Sequence, residues 1–289
     1  MKLKITDKPG VTLKTAGKYC SEDIGVTIDE SLLGGGENII QKLIDINNSC
    51  SYLFYDKKEI TDYEINSILE TLNLSQVTSM EYMFYGNENI TKVPNLDTSK
   101  CTKLTGLFQN CRLLIEVPNL DTSKCTSFVN MFANCESLIE VTNLDTSKCT
   151  NLANMFAYCG KIETIETIDL QNMTYIQDGV FINCYNLTNL KIINIKANLL
   201  VGNGYYATLL TVDSLVGLCK ECIKQRSSRK LTIGSGNIEK LDNVYVKFTD
   251  STQTEIAVGE KGEVEVCEST DTGAMLIKDY MTLKRWDLA

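Results

Sequence analysis

The stretch VPNLDTSKCTKLTGLFQNCRLLIE, which begins at Val93, recurs as VPNLDTSKCTSFVNMFANCESLIE from Val117 and as VTNLDTSKCTNLANMFAYCGKIET from Val141. These starting positions lie 24 residues apart, and weaker copies extend the pattern from Leu72 to Leu190. A fixed period of roughly 20 to 30 residues is typical of solenoids, whose units bury their apolar faces only by stacking on their neighbours. The sequence therefore predicts a stack of 24-residue coils.

Each repeat carries two apolar registers. The first has the spacing of a helix or a tight turn and, in one repeat, comprises Leu104, Leu107 and Phe108. The second has the irregular spacing of a short strand that enters a bend and comprises Leu114, Val117 and Leu120. We therefore expect every coil to combine a turn or short helix with a short strand. The array becomes irregular where one residue is inserted before Phe181.

Most of the 12 cysteines belong to the repeat. They occupy two positions of the unit, the first with Cys101, Cys125 and Cys149 and the second with Cys111, Cys135, Cys159 and Cys184. Equivalent residues of stacked coils lie about 4.8 Å apart, so each set forms a ladder. Val77 and Met173 hold the first position in flanking units, which indicates a slot for a medium-sized apolar group. We predict buried, reduced thiols; the alternative, disulfides between coils, needs an oxidising compartment.

Charge and composition exclude several classes of partner. The formal charge of −9 comes without any basic run, so the surface would repel phosphate backbones and we expect no nucleic-acid partner. No stretch reaches the roughly 18 apolar residues of a spanning helix, so we expect no membrane insertion. The opening MKLKITDKPG lacks the apolar segment of a signal peptide, which favours synthesis in a cytoplasm without export.

The repeats divide the chain into four regions. We predict a small β module with a glycine hinge in residues 1–36, an amino-terminal cap in 37–72, the repeats in 73–200, and degenerate repeats with a hairpin insertion and a carboxyl-terminal cap in 201–289. The module contains VTLKTAGK and IGVTIDE, two β-rich runs around a polar turn. The hinge consists of Gly34, Gly35 and Gly36.

The flanking elements follow from local patterns. NIIQKLIDI and TDYEINSILETL predict helices, the second capped by Asp62, and CSYLFY between them predicts a strand. After the repeats, LLTVDSLVGLCKECIKQ predicts an amphipathic helix capped near Thr211 or Asp213, and KLTIGSGNIEKL a strand and a turn. A hairpin is expected from VYVKFTD with TEIAVGEKGEVEV, and a helix followed by a short strand from AMLIKDYMTLKRWDLA.

The sequence offers no catalytic or cofactor motif. It has no histidine, which removes the commonest general base and metal ligand, and it has no Walker-type or dinucleotide-type glycine loop. Cys219 and Cys222 form one CxxC, but a redox motif needs a thioredoxin-like setting and a zinc site needs two further ligands. We therefore predict no catalytic residues, no metal and no cofactor.

Two files of polar residues repeat with the coils. Asp97, Asp121 and Asp145 are expected in one file, each followed three residues later by a lysine, and Asn95, Asn119 and Asn143 in another. A cation site needs six or more converging oxygens, which a line of aspartates does not provide. We interpret the aspartates as turn residues that bind local backbone amides, and the asparagines as a ladder that satisfies backbone groups at the bend.

If the array binds a ligand, the exposed face of its sheet is the expected surface, because side chains of successive coils form a regular grid there. From the register we place Lys92, Glu116 and Glu140 in one outward file, and Pro94, Pro118, Thr142 and Glu166 in a second. Ile115 and Ile139 are expected beside them, and exposed isoleucines would favour a protein partner. The alternative is a solvated, acidic face without a ligand.

The repeats, with VPNLDTSKCT followed by MFANCESL, resemble the leucine-rich repeats of the BspA-like surface antigens, the DUF285 type with units of about 26 residues, over roughly residues 50–200. VTLKTAGKYCSEDIGVTI resembles an amino-terminal segment of structural proteins from phages and prophages of Gram-positive bacteria. CSYLFY, LTVDSLVGL and KLTIGSGNIEKL are similar to other parts of those proteins. This chain departs from them in ending on KRWDLA and in an insertion over residues 243–272.

The resemblance implies an α/β leucine-rich-repeat solenoid, with short parallel strands plus short helices or 3-10 turns in each coil and a small amino-terminal β module. It also implies a non-enzymatic virion protein of the tail, baseplate or capsid surface, assembled in the host cytoplasm and present in multiple copies on a symmetric particle. Its expected partners are other virion proteins, bound through residues 1–36, and a host-surface glycan or protein, bound by the repeats.

Two alternatives remain open. A bacterial surface adhesin of the leucine-rich-repeat type would need a secretion signal and an anchor. A wall hydrolase would need a convergent acid and base, such as Glu116 with Glu140, but an open sheet provides no cleft for them.

Overall fold

The structure, a computed structural model, describes residues 12–13, 26–27, 39–173, 176, 179–196, 199–201, 210–222, 229–232, 237, 239–249, 261, 264–272, 274–284 and 286–288. Its strands are β1 (Thr12–Leu13), β2 (Val26–Thr27), β3 (Glu140–Val141), β4 (Thr164–Asp169), β5 (Asn189–Ile193), β6 (Leu199–Leu200), β7 (Arg229–Thr232), β8 (Tyr245–Phe248), β9 (Val264–Cys267), β10 (Met275–Leu276) and β11 (Trp286–Leu288). Its helices are α1 (Ile39–Asn47), α2 (Asp62–Leu69), α3 (Val212–Glu221) and α4 (Ile277–Leu283). The predicted glycine hinge lies outside the described residues.

The described residues of the repeats form a stack of coils, here called the coil stack and defined as residues 48–173, 176 and 179–196. Backbone hydrogen bonds that recur once per repeat join successive coils: Phe108 N donates to Met131 O at 3.0 Å, and Phe132 N to Met155 O at 2.9 Å. On another side of each coil a second series forms, in which Ile115 N donates to Thr91 O at 2.9 Å. This second series widens into the parallel sheet β3–β4–β5. Each coil therefore satisfies its backbone through its neighbours.

The core of the coil stack is a continuous column of phenylalanine rings. Neighbouring ring centroids lie 5.4 to 6.0 Å apart, and the ring planes are within 12° of parallel. The column consists of Phe54, Phe84, Phe108, Phe132, Phe156 and Phe181. All six are buried. Because each of the four inner rings packs between two others, no inner coil can bury its own phenylalanine alone.

The predicted cysteine ladders are confirmed among the described residues. Ten cysteines are buried and none of these ten is in a disulfide. In the second ladder each thiol donates to the carbonyl of a phenylalanine in the preceding coil, as Cys135 Sγ does to Phe108 O at 3.1 Å and Cys159 Sγ to Phe132 O at 3.1 Å. The sulfur therefore both fills an apolar slot and supplies a weak hydrogen bond between coils.

The first apolar register folds as tight turns, because each coil contains two residues with left-handed backbone conformation four positions apart. They are Tyr52 and Asp56, Tyr82 and Gly86, Gly106 and Asn110, Asn130 and Asn134, Asn154 and Tyr158, and Gly179 and Asn183. A right-handed helix cannot continue through such residues. For the same reason the strand predicted for CSYLFY is wrong: residues 51–56 are turns equivalent to those of the later coils.

Gly106 is the turn glycine whose replacement should be most damaging. Its φ is +59°, and a Cβ there would lie 2.4 Å from the Tyr82 ring. We expect Gly106→Ala to lower the free energy of unfolding by about 2 to 4 kcal/mol, from the left-handed penalty and the displaced ring. Gly217→Ala in α3 is the matched control, because its Cβ would meet no atom within 4 Å. Urea unfolding should show a stabilisation of about 0.5 to 1 kcal/mol for that control.

Two helices precede or interrupt the first coils. α2 begins after Thr61, whose hydroxyl accepts from Glu64 N while the Glu64 carboxylate accepts from Thr61 N, a reciprocal capping box. The prediction that Asp62 caps this helix is wrong. Instead, the Asp62 carboxylate accepts from Thr91 N at 3.0 Å and from the Thr91 hydroxyl, which ties α2 to the next coil.

The carboxyl-terminal region contains the predicted helices and hairpin. β8 pairs antiparallel with β9, and α3 begins after its predicted cap Thr211. Lys284, which follows α4, is fully buried and donates to the carbonyls of Cys219 and Lys220 at 3.0 and 2.8 Å. These carbonyls belong to the last turn of α3, where no helical partner is available. Burial lowers the pKa of Lys284 to about 8.

Candidate binding surface

The exposed side of the parallel ladder is here called the outer sheet face. It comprises the eight residues predicted from the register: Lys92, Ile115, Glu116, Pro118, Ile139, Glu140, Thr142 and Glu166. Lys92, Ile115, Glu116, Ile139, Glu140 and Glu166 are exposed, and Pro118 and Thr142 are half-buried. Ile115 and Ile139 retain 46% and 43% exposure, large values for apolar side chains.

Strand alternation explains why Glu140 points outward. Glu140 in β3 pairs in register with Thr164 in β4, which in turn pairs with Asn189 in β5. Their following neighbours, including Val141 and Ile165, are buried in the core. Since successive side chains of a strand point to opposite faces, Glu140 and Asn189 continue one outward file along the sheet.

The outer sheet face ends in an open groove beside α3. Ser214 attaches this helix to the sheet, because its hydroxyl accepts from Leu190 N at 3.2 Å and donates to Thr188 O at 3.3 Å. The space between helix and sheet has a volume of about 420 Å³. Its walls include Thr164, Glu166, Asn189 and Lys191 from the sheet and Asp213, Gly217, Lys220 and Glu221 from the helix. Of these, only Glu166 was predicted from the repeats.

The groove carries both signs of charge. Glu166, Asp213 and Glu221 supply carboxylates, and Lys191 and Lys220 supply ammonium groups. Glu221 is held in place, because its carboxylate accepts from Asn194 N at 3.1 Å and pairs with Lys261. The Glu166 carboxylate accepts from Asn143 N at 3.3 Å, which connects the groove to the preceding coil. Such a surface suits a polar ligand with both hydrogen-bond donors and acceptors.

Gly217 keeps this groove open. It lies within α3, where glycine is less favourable than alanine by roughly 0.5 to 1 kcal/mol. A side chain at this position would meet no atom within 4 Å, so packing does not require glycine. Any larger residue would instead occupy the space between the helix and the sheet.

The aspartate file behaves as the turn interpretation predicts. Asp97 accepts from Ser99 N and from the Ser99 hydroxyl, and Asp121 makes the same two bonds to Ser123. These hydrogen bonds hold the pKa values of both carboxyls below their usual range. Within the described chain, no group of three or more histidine, cysteine, aspartate or glutamate side chains is placed to hold a metal ion.

The asparagine ladder lies at a different position from the predicted one. Asn95, Asn119 and Asn143 are exposed. The ladder pair that the structure shows joins Asn134 Nδ2 to Asn110 Oδ1 at 2.8 Å, in the left-handed position before each second-ladder cysteine. The repeat alignment carries this signal, because asparagine precedes Cys111, Cys135 and Cys184.

The CxxC cysteines are part of the packing around α3. Cys219 and Cys222 are both fully buried, and burial raises the pKa of both thiols. A buried thiol with a raised pKa carries little of the thiolate that redox chemistry and metal binding require.

Among the helices of the described residues, none combines the length and apolar character needed to cross a membrane.

Comparison with known proteins gives one match. No curated protein and no solved structure matches the chain significantly. A family model does match, over residues 48–168, which are most of the coil stack. Residues 48–168 are thus similar to the DUF285 family, described as "Mycoplasma protein of unknown function", in agreement with the DUF285-type resemblance of the repeats.

Proposed function

We propose that the coil stack is a leucine-rich-repeat solenoid that acts as a non-enzymatic binding module. The observation that carries this proposal is the outer sheet face, a regular array of exposed side chains that leads into the groove beside α3. Repeat proteins commonly use such extended surfaces for recognition. The proposed ligand is a protein or a host-surface molecule that covers this face and groove.

The character of the outer sheet face supports a macromolecular partner. Ile115 and Ile139 lie next to each other in the ladder, since Ile139 N donates to Ile115 O at 3.4 Å. Around them lie Lys92, Glu116 and Glu140, all exposed. An apolar centre with a charged rim is the usual composition of a protein-binding patch.

We further propose that the protein is a component of a phage or prophage virion, at the tail, baseplate or capsid surface. Support comes from the similarity of VTLKTAGKYCSEDIGVTI, LTVDSLVGL and KLTIGSGNIEKL to phage structural proteins. Residues 1–36 would attach the protein to the particle, and β1 and β2, which pair antiparallel, belong to this segment. Many copies on one particle would multiply weak single contacts into strong attachment.

Particle fractionation tests the virion proposal. After prophage induction in the source bacterium, we expect the full chain in the density-gradient fraction that contains particles. A variant lacking residues 1–36 should be absent from that fraction, although it remains in the lysate. Recovery of the full chain with the cell envelope instead would support the surface-adhesin alternative and contradict the virion proposal.

Substitutions on the outer sheet face test its role in binding. We expect Ile115→Lys combined with Ile139→Lys to reduce adsorption of particles to host cells by roughly tenfold or more, because each lost contact worth about 1.4 kcal/mol is a factor of ten. Ile46→Lys is the matched control, since Ile46 is 77% exposed and lies on α1, outside the coil stack. Equal adsorption by the double variant and the control would contradict the role of the face.

The groove is tested separately with Gly217→Phe. The new ring would extend into the space between α3 and the sheet without touching other atoms at its Cβ. We expect adsorption to fall while the thermal unfolding midpoint stays close to that of Gly217→Ala. Unchanged adsorption would restrict the binding site to the outer sheet face.

A further inference from the structure

A second, smaller pocket lies on three successive coils of the stack. It has a volume of about 290 Å³ and is lined by Asn134, Glu136, Tyr158, Gly160, Lys161, Asn183 and Tyr185. It shares no residue with the outer sheet face or with the groove beside α3. Tyr158 and Tyr185 are 49% and 47% exposed, so both rings present accessible surface.

Tyr158 breaks the asparagine ladder at this pocket. The equivalent left-handed position holds Asn110, Asn134 and Asn183 in three other coils, with φ between 60° and 64°, and Asp56 and Gly86 in the first two coils. Tyr158 adopts the same conformation, with φ at 64°. Asparagine tolerates this conformation because its short amide can bond locally, whereas a bulky side chain there is an outlier. The chain therefore keeps an unfavourable residue where its own repeat supplies a better one.

Tyr158 has no amide with which to continue the ladder to Asn183 in the next coil. Asn134 is paired with Asn110, but Asn183 lies on the other side of Tyr158. The Asn183 side chain is only 8% exposed, and its Oδ1 accepts no hydrogen bond among the described residues. A buried acceptor without a donor is destabilising, and backbone strain of this kind clusters at functional sites. Strain and an unsatisfied acceptor thus coincide at one pocket.

We propose that this pocket binds a single sugar ring. A sugar combines an apolar C–H face, which can stack on the Tyr158 and Tyr185 rings, with a rim of hydroxyls that form hydrogen bonds. Glu136 supplies an acceptor and Lys161 a donor for these hydroxyls at the rim of the pocket. The volume is just below the roughly 300 Å³ at which small-molecule sites begin, so it suits one ring rather than an oligosaccharide. The expected dissociation constant is roughly millimolar, as suits an open site used in many copies.

The direct test is saturation-transfer NMR of the full chain with glucose, galactose and N-acetylglucosamine as separate probes. We expect transfer to the ring protons of at least one sugar. Tyr158→Asn should abolish this signal because it removes the aromatic surface, and it should raise the Tm because asparagine tolerates the left-handed conformation better than tyrosine does. Tyr63→Asn, which removes a tyrosine 78% exposed on α2, should leave the signal unchanged.

Each outcome separates binding from a structural role. Absence of transfer from all three sugars at tens of millimolar overturns the proposal, and so does an undiminished signal in Tyr158→Asn. A lower Tm for Tyr158→Asn would show that the tyrosine stabilises the coil, which also contradicts the proposal. Tyr185→Ser, which leaves the left-handed position intact, provides the second variant and should weaken the signal severalfold. Because the pocket is separate from the outer sheet face, its failure would leave the proposed function standing.

Discussion

Raising the pH from 8 to 10 is expected to unfold this protein. Burial raises the pKa of all ten described cysteines, to about 11 for Cys149 and about 12 for Cys101, Cys125, Cys184 and Cys219. The unfolded chain ionises its thiols from about pH 9, while the folded chain holds them protonated, so the folded state binds more protons and stability falls as pH rises. Each thiol contributes about 1.4 kcal/mol per pH unit, up to about 14 kcal/mol together at pH 10. Typical domains have only about 5 to 15 kcal/mol of stability.

Deprotonation of Lys284 raises the stability of the folded state as the pH rises, but its effect is smaller than that of the ten thiols. The pKa of its buried ammonium group is lowered to about 8, so the folded state loses this proton before the unfolded state does. Stability therefore rises with pH between about 8 and 10.5, and by pH 10 this one group offsets only about two thiols.

The control for this prediction is the triple variant Cys101→Val, Cys125→Val and Cys149→Val. Valine already occupies this position at Val77, which is fully buried, so the variant should fold with near-normal stability at pH 7. We expect its loss of stability above pH 9 to be smaller by about 4 kcal/mol per pH unit. Urea unfolding followed by circular dichroism, under a phosphine reductant at pH 7, 8, 9 and 10, measures both proteins. An unfolding midpoint that does not change between pH 8 and 10 would falsify the prediction.

Phe132→Ala should cause the largest loss of stability among single substitutions in the column of phenylalanine rings. Phe132 is fully buried, and its ring lies 5.9 Å from that of Phe108 and 5.6 Å from that of Phe156. Removing such a side chain costs about 3 to 5 kcal/mol, to which two lost stacking contacts add about 1 kcal/mol or more. Chemical unfolding of purified variants measures the difference.

The position of Phe132 in the middle of the column sharpens the test. Coils stabilise only their neighbours, so hydrogen exchange should accelerate in the coils on both sides of the substitution. Leu113→Ala, on an exposed side chain, is the control and should change stability by no more than about 0.5 kcal/mol. A loss below about 1 kcal/mol for Phe132→Ala would mean that the column does not carry the stability of the stack.

The repeat period was sufficient to predict the main features of the core. Residues 24 positions apart in the sequence proved to be neighbours in space, as the backbone bonds between coils show. The burial of Cys101 could be inferred because Val77 replaces it in the preceding coil. The exposure of Ile115, Glu116 and Glu140 followed from the same register. Repetition makes such inferences reliable, because equivalent residues of successive coils occupy the same packing environment.

Local patterns were less reliable where a contact between distant residues competed with them. Asp62 has the chemistry of a helix cap, but its carboxylate bonds to Thr91, 29 residues away, and Thr61 caps the helix instead. The run Cys50–Tyr55 has the composition of a strand, yet its turns are fixed by bonds to the next coil, such as Phe54 N to Met83 O at 2.9 Å. Propensity could not predict either outcome, since both partners lie outside the local window.

The sequence by itself determined the period, the buried ladders and the outward files, because these depend only on which residue recurs at each position of a coil. Only the tertiary structure located the groove, which Glu166 lines from the sheet and Asp213 and Glu221 line from a helix that no repeat predicts. It also showed that Tyr158 takes the left-handed position that asparagine holds in other coils and lines a pocket together with Tyr185. Both sites arise where the repeat is interrupted, and the shape of an interruption depends on the packing of distant segments rather than on a local pattern.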